Sequence, residues 1–180
     1  MTSRRMRRSP VKGLILGSLS GLVGTILMTQ FQILWKKASE QIPARKQNKT
    51  EGKESEEEKE DSTMKAAEKI SEAVGYKLSH AERKKAGDWV HYSFGAALGG
   101  ILGLLKETGP KSLRRLNPAI LGAGYGSVIF ISAHQIAVPA LKLGSNPLTE
   151  PLPDQVSEYF AHIIYGVGTS LTYSAIRRHD

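Results

Sequence analysis

With 180 residues, 25 Lys/Arg and 17 Asp/Glu, the chain has the length of one ordinary domain and a net charge of +8. It contains no cysteine, which excludes a disulfide framework, a zinc–thiolate site and a thiol nucleophile. A mean hydropathy of −0.27 reads as soluble, but it averages two different materials. Residues 36–85 hold 13 Lys/Arg and 11 Asp/Glu with few large apolar side chains, whereas long apolar runs dominate the rest. The basic excess sits in short clusters beside those runs: Arg4, Arg5, Arg7 and Arg8; Lys111, Arg114 and Arg115; Arg177 and Arg178. Charge placed that way sets membrane topology, and it argues against a nucleic-acid partner.

Residues 1–12 read as a basic cytoplasmic arm, and residues 13–180 as a single membrane domain. Gly13 to Trp35 is a run of 23 residues without a charge, long enough to cross a bilayer as a helix. It is too long for the apolar part of a signal peptide, and Trp35 followed by Lys36 and Lys37 marks an interface. Gly13, Gly17 and Gly21 make a flat strip on one face, where another backbone can approach closely. Such a strip serves helix packing within one bundle, or a seam with a second copy of the chain. Of Gln30 and Gln32 near the far end, one is expected to face the interior.

Residues 38–85 form a charged insert. Its acidic stretch, Glu51 to Asp61, cannot bury apolar surface and reads as solvated linker. From Ser62-Thr63 a short amphipathic helix is expected, closed by Gly75, lying on the membrane face or on the bundle. Ser79-x-x-Glu82 has the spacing of a capping box, so the next helix should begin near His80.

Three further spans follow, at about 86–105, 118–141 and 154–176, after a first at about 13–35. The second repeats the glycine strip as Gly95, Gly99 and Gly103. The third opens at Asn117-Pro118 and carries His134 and a late Pro139; the fourth ends at Arg177-Arg178. The expected fold is all-α: a four-helix transmembrane bundle with the amphipathic helix in a long extracytoplasmic loop. The basic flanks put both termini and the Lys106–Asn117 loop in the cytoplasm.

A five-residue pattern occurs once in each half. His91-Tyr92-Ser93-Phe94-Gly95 and His162-Ile163-Ile164-Tyr165-Gly166 both read His-x-x-aromatic-Gly near the start of an apolar run. Aligning them pairs the first two spans with the last two, as a duplicated two-span unit inserted twice in the same orientation. Asp88 precedes the first histidine, and Asp154 and Glu158 the second.

In this topology His91, His134 and His162 all reach the outer half of the bundle, with Asp88 and Glu158 beside them. Ionisable groups at that depth face inward and pair. The expected role is a structural polar cluster, with Gly166 and its counterpart Gly95 letting neighbouring helices approach. A proton-linked site is the rival reading, because histidine titrates near neutral pH. Metal or bis-histidine haem ligation is a third reading, set behind these two because the glycine strips suggest tight packing. No catalytic residue, metal or cofactor is assigned, since Ser93 beside His91 makes no triad and Gly122-x-Gly124-x-Gly126 follows no strand.

The stretch Leu34-Trp35-Lys36-Lys37-Ala38-Ser39-Glu40 with Pro43, and the two histidine motifs, resemble the YagU-like family of small bacterial inner-membrane proteins. The resemblance covers about residues 13–44 and 62–176. It implies an integral protein of the bacterial cytoplasmic membrane without an established molecular activity. The function expected is therefore a non-enzymatic envelope or stress-related component. Its partners are the lipid bilayer and, through the glycine strips, copies of itself. The alternative is a small proton-linked transporter or channel using His91, His134 and His162.

Overall fold

The computed structural model of the chain describes residues 8–41, 61–144 and 151–179. Arg4, Arg5, Arg7, Pro43, most of the acidic stretch and Pro147 lie outside these residues. The described residues form six helices and no strand: α1 (Pro10–Glu40), α2 (Ser62–Ala73), α3 (His80–Thr108), α4 (Lys111–Arg115), α5 (Pro118–Ala140) and α6 (Leu152–His179). Two of them, α1 and α5, are long and apolar enough to cross a membrane.

The helix ends follow local chemistry. Ser9 caps α1 by accepting from the Lys12 N–H, and Pro10 sits in the first turn where its missing N–H costs nothing. Asp61, one residue before the predicted opening, caps α2 by accepting from the N–H groups of Thr63 and Met64. Gly75, at φ +82°, closes that helix in the left-handed conformation, with Tyr76 N–H donating back to the Ser71 carbonyl at 2.8 Å. Ser79 and Glu82 form the full capping box at the start of α3. There the Ser79 backbone N–H and then its hydroxyl hold the Glu82 carboxyl below its ordinary range. Asn117 caps α5, followed by Pro118.

One feature of α5 differs from the regular helix expected. Residues Ile131–Ala137 are wound as π-helix, with the Val138 N–H donating to Ala133. Pro139 explains the location: its ring removes a donor and crowds the carbonyl four residues back, at Gln135. The wider winding rotates the residues around it relative to the rest of the helix.

Packing is built on glycine. Helices α1 and α3 run antiparallel with Gly13, Gly17 and Gly21 against Gly103, Gly99 and Gly95. A Cβ added at Gly13, Gly17, Gly21, Gly99 or Gly103 would land less than 3.0 Å from backbone of the facing helix, and one at Gly95 would strike Thr25. Helices α5 and α6 repeat the arrangement: Gly122 faces Gly166, and Gly126 faces the His162 carbonyl. Between these pairs, Gly24 of α1 lies against Tyr165 and Thr169 of α6. Hydroxyl bonds join α3 to the other pair, from Tyr125 to the Leu98 carbonyl and from Tyr165 to the Gly95 carbonyl, both 2.7 Å. Met28, Ile129, Ala161 and Tyr165 form the small apolar centre, flanked by Phe31, Leu98 and Tyr125.

Across one end lies α2. Its Met64 covers Gly87 of α3, Glu68 pairs with Arg83 at 2.8 Å, and the Lys69 ammonium donates to the Leu141 carbonyl. The same end gathers the C-termini of α1 and α5 and the N-termini of α3 and α6.

Overpacking normally costs about 1–3 kcal/mol, and a contact made by backbone cannot relax as a side chain can. Gly17→Leu and Gly99→Leu should each exceed that range in unfolding experiments in detergent, whereas Leu19→Ala, on the outer face of α1, should change stability by less than about 1 kcal/mol. Wild-type stability in both leucine variants would refute the contact.

Candidate functional site

The helices bring three chemistry-bearing side chains together. Glu158 and His162 are four residues apart on α6 and so share one face. His134 comes from the π-wound part of α5. One donor atom from each of His134, Glu158 and His162 lies within 4.8 Å of the other two. The His134 and His162 rings meet edge to face with centroids 4.9 Å apart, and His134 Nε2 is 3.8 Å from Glu158 Oε2.

The groups around this cluster orient it. His162 Nδ1 is 2.8 Å from the Glu158 backbone carbonyl. A carbonyl can only accept, so Nδ1 carries the proton, and Nε2 of the neutral ring keeps its lone pair. The Gln32 side-chain amide, from α1, donates to both carboxylate oxygens of Glu158 at 3.2 and 3.3 Å. Buried Phe130 walls the cluster on one side, stacked on His134 and edge-on to His162 and Tyr159.

His91 and Asp88 are arranged differently. The His91 ring packs against Tyr92, and its charged neighbours are Asp61 and Asp88. Asp88 is exposed. The ring partner of His162 is thus His134 rather than its motif counterpart His91.

The opposite end carries a second polar group. Glu107 is buried, accepting from the Tyr173 hydroxyl at 2.8 Å and from Arg177 Nε at 2.7 Å. Burial pushes its carboxyl up, but the hydrogen bonds from Arg177 and Tyr173 and the guanidinium charge outweigh that and hold it below its ordinary range. Lys106 beside it is pushed down by burial. A cavity of about 530 Å³ opens there, lined by Arg8, Lys106, Arg114, Arg115, Arg177 and Arg178 around that one carboxylate. Such a lining attracts anions.

Sequence reasoning missed Glu107, because an acid beginning a basic loop reads as solvated. It also missed the π winding of α5, for which Pro139 was the available signal. It narrowed the contact from α1 to two glutamines, and Gln32 makes it.

A carboxylate held below its ordinary value stabilises the fold above that value, and the contribution is lost as pH falls through the folded value. The melting temperature in detergent should therefore fall more steeply below pH 4.5, the ordinary Glu107 value, in the native chain than in Glu107→Gln. At neutral pH Glu107→Gln should be less stable by about 1–3 kcal/mol. Parallel pH profiles for the two proteins would contradict the assignment.

A family model described as "Protein of unknown function (DUF1440)" matches residues 34–171. The match takes in α2 to α5 and most of α6, with His134, Glu158 and His162, and begins two residues after Gln32. The comparisons with curated proteins and with solved structures each find no match. Since the matched segment is well over half of the sequence, the chain belongs to the DUF1440 family of proteins of unknown function.

Proposed function

We propose that this chain is a four-span integral protein of the bacterial cytoplasmic membrane. In this reading it is a non-enzymatic, YagU-like envelope component that holds a polar histidine–carboxylate centre in the outer half of its bundle. One observation carries the reading: the polarity of the helices is inverted. Ser20, Thr169 and Ser170 are 0% exposed, whereas Ile120, Val128 and Phe94 are 66%, 62% and 59% exposed. Water penalises that arrangement and hydrocarbon favours it.

The inverted pattern extends to α3 and α6, whose Ile101, Leu105, Phe160 and Leu171 also point outward. Both helices lie antiparallel to α1, one of the two helices apolar enough to cross. Three of the buried hydroxyls are satisfied within their own helices: Ser20 donates to the Leu16 carbonyl, Thr25 to Gly21 and Thr169 to Tyr165. This is how hydroxyl side chains are accommodated where no water can reach. The two glycine-packed pairs, α1 with α3 and α5 with α6, support a duplicated unit. The basic cavity supports a cytoplasmic position for its end of the bundle.

A proton-linked transporter or channel is the rival, favoured by the buried polar line His162, Tyr165, Thr169, Tyr173 along α6. A proton path needs each hydroxyl to hand on to the next. Here Tyr165 and Thr169 donate to backbone carbonyls instead, and glycine contacts close the space between helices.

The natural absence of cysteine makes topology directly measurable. Lys77→Cys, in the exposed connection between α2 and α3, should react with an impermeant thiol reagent in intact cells. Ser112→Cys, in α4, should react only after the membrane is opened. Labelling of both in intact cells, or the reverse pattern, would overturn the four-span orientation.

A further inference from the structure

We propose that His134, Glu158 and His162 form a binding site for one first-row divalent transition-metal ion, positioned by Gln32. Four features of the geometry support this. The three donor groups come from two helices yet converge within 4.8 Å. Donors 2.0–2.2 Å from an ion sit about 3–3.5 Å from one another, so closure requires movements of about 1 Å, within reach of side-chain torsions. The 3.8 Å between His134 Nε2 and Glu158 Oε2 is already near that spacing.

Second, the tautomer is set for ligation. A ligating imidazole characteristically donates its other N–H to a carboxylate or a backbone carbonyl. His162 does so through Nδ1 to the Glu158 carbonyl, which leaves Nε2 as the donor atom. Third, the Gln32 amide holds the Glu158 carboxylate from the side of α1, as outer partners hold ligating carboxylates. Fourth, His134 stands on a π-wound segment, a distortion that recurs at functional sites, and Phe130 shields the rings on one side.

The donor set selects the class of ion. Two imidazole nitrogens and one carboxylate suit zinc, iron, cobalt or nickel in the divalent state. Magnesium and calcium prefer all-oxygen sites, and copper(I) prefers sulfur. Three protein donors leave at least one coordination position for water or an exchanging ligand. The side chains of His134 and Glu158 are 27% and 34% exposed, so the site is not sealed within the bundle. The site depends on side-chain geometry and not on the number of membrane crossings, so topology and metal binding fail separately.

The test uses the full chain in detergent micelles, purified through a tag without histidine and stripped with a chelator. Cobalt(II) is titrated by its visible absorption, and zinc(II) is measured by competition. One ion per chain is expected. Glu158→Gln, His134→Gln and His162→Gln should each weaken zinc binding by more than about 100-fold. Gln32→Leu should weaken it by about 10-fold, the size of effect an outer partner has. His80→Gln, at the exposed start of α3, should bind as the native chain does. Circular dichroism and size exclusion establish that each variant is folded. Glu158→Gln preserves the shape of the side chain, so it remains informative if a histidine variant fails to fold. Absence of stoichiometric binding by the folded native chain would sink the proposal. So would folded Glu158→Gln with native affinity, or loss of binding in His80→Gln.

Discussion

Close contact between helix backbones is the constraint on which the rest of this structure depends. Glycines spaced four apart let α1 and α3 meet without intervening side chains, and they do the same for α5 and α6. Gly24 then brings the two pairs together at Thr169 and Tyr165. Such contacts gain their energy from dispersion and from shape, and they do not require water to drive the helices together. They also fix register: sliding α1 one residue along α3 would drive Leu14 or Leu22 into backbone. Once register is fixed, the polar groups at both ends have little freedom in where they fall.

The two polar clusters are consequences of that register. With Gly24 set against Thr169, Gln32 lies two turns further along α1 and Glu158 about three turns back along α6, and the two side chains meet. The antiparallel run of α3 against α1 likewise carries Glu107 to the end where α6 presents Tyr173 and Arg177. The tyrosines act as struts between helices that glycine alone does not join. Tyr125 and Tyr165 both reach α3 carbonyls, at Leu98 and Gly95, one turn apart. Long side chains thus bridge the wider gaps, and glycines close the narrow ones.

Much of this was legible in the sequence, for identifiable reasons. A strip such as Gly13, Gly17, Gly21 has one physical use in an apolar helix, so its packing role could be read without a partner in view. Caps are local, so Ser79-x-x-Glu82 and Gly75 gave their positions directly. The histidine cluster was less legible because it depends on helix phase. The repeated motif made His91 and His162 look equivalent, whereas His162 contacts His134. Helical spacing from Gly126 and Phe130 puts His134 on the face toward α6, but no local pattern says which histidine of another helix lies opposite it. Glu107 was hidden for a different reason: its partners lie 66 and 70 residues away, and no local pattern encodes them.

The winding of α5 links fold to chemistry. A regular α-helix ending at Pro139 would leave the carbonyl of Gln135 crowded and without its usual donor. Spreading that defect over Ile131–Ala137 relieves the crowding and leaves Phe130 and His134 stacked on one face. Phe130 stays buried between α5 and α6, and His134 stacks upon it rather than facing outward with Val128 and Ile131. Gly122, Gly126, Phe130 and His134 follow one another at intervals of four, so one helix presents apolar side chains to the outside along most of its length and an imidazole to the interior near its end. A proline placed one turn earlier or later would move the distortion with it.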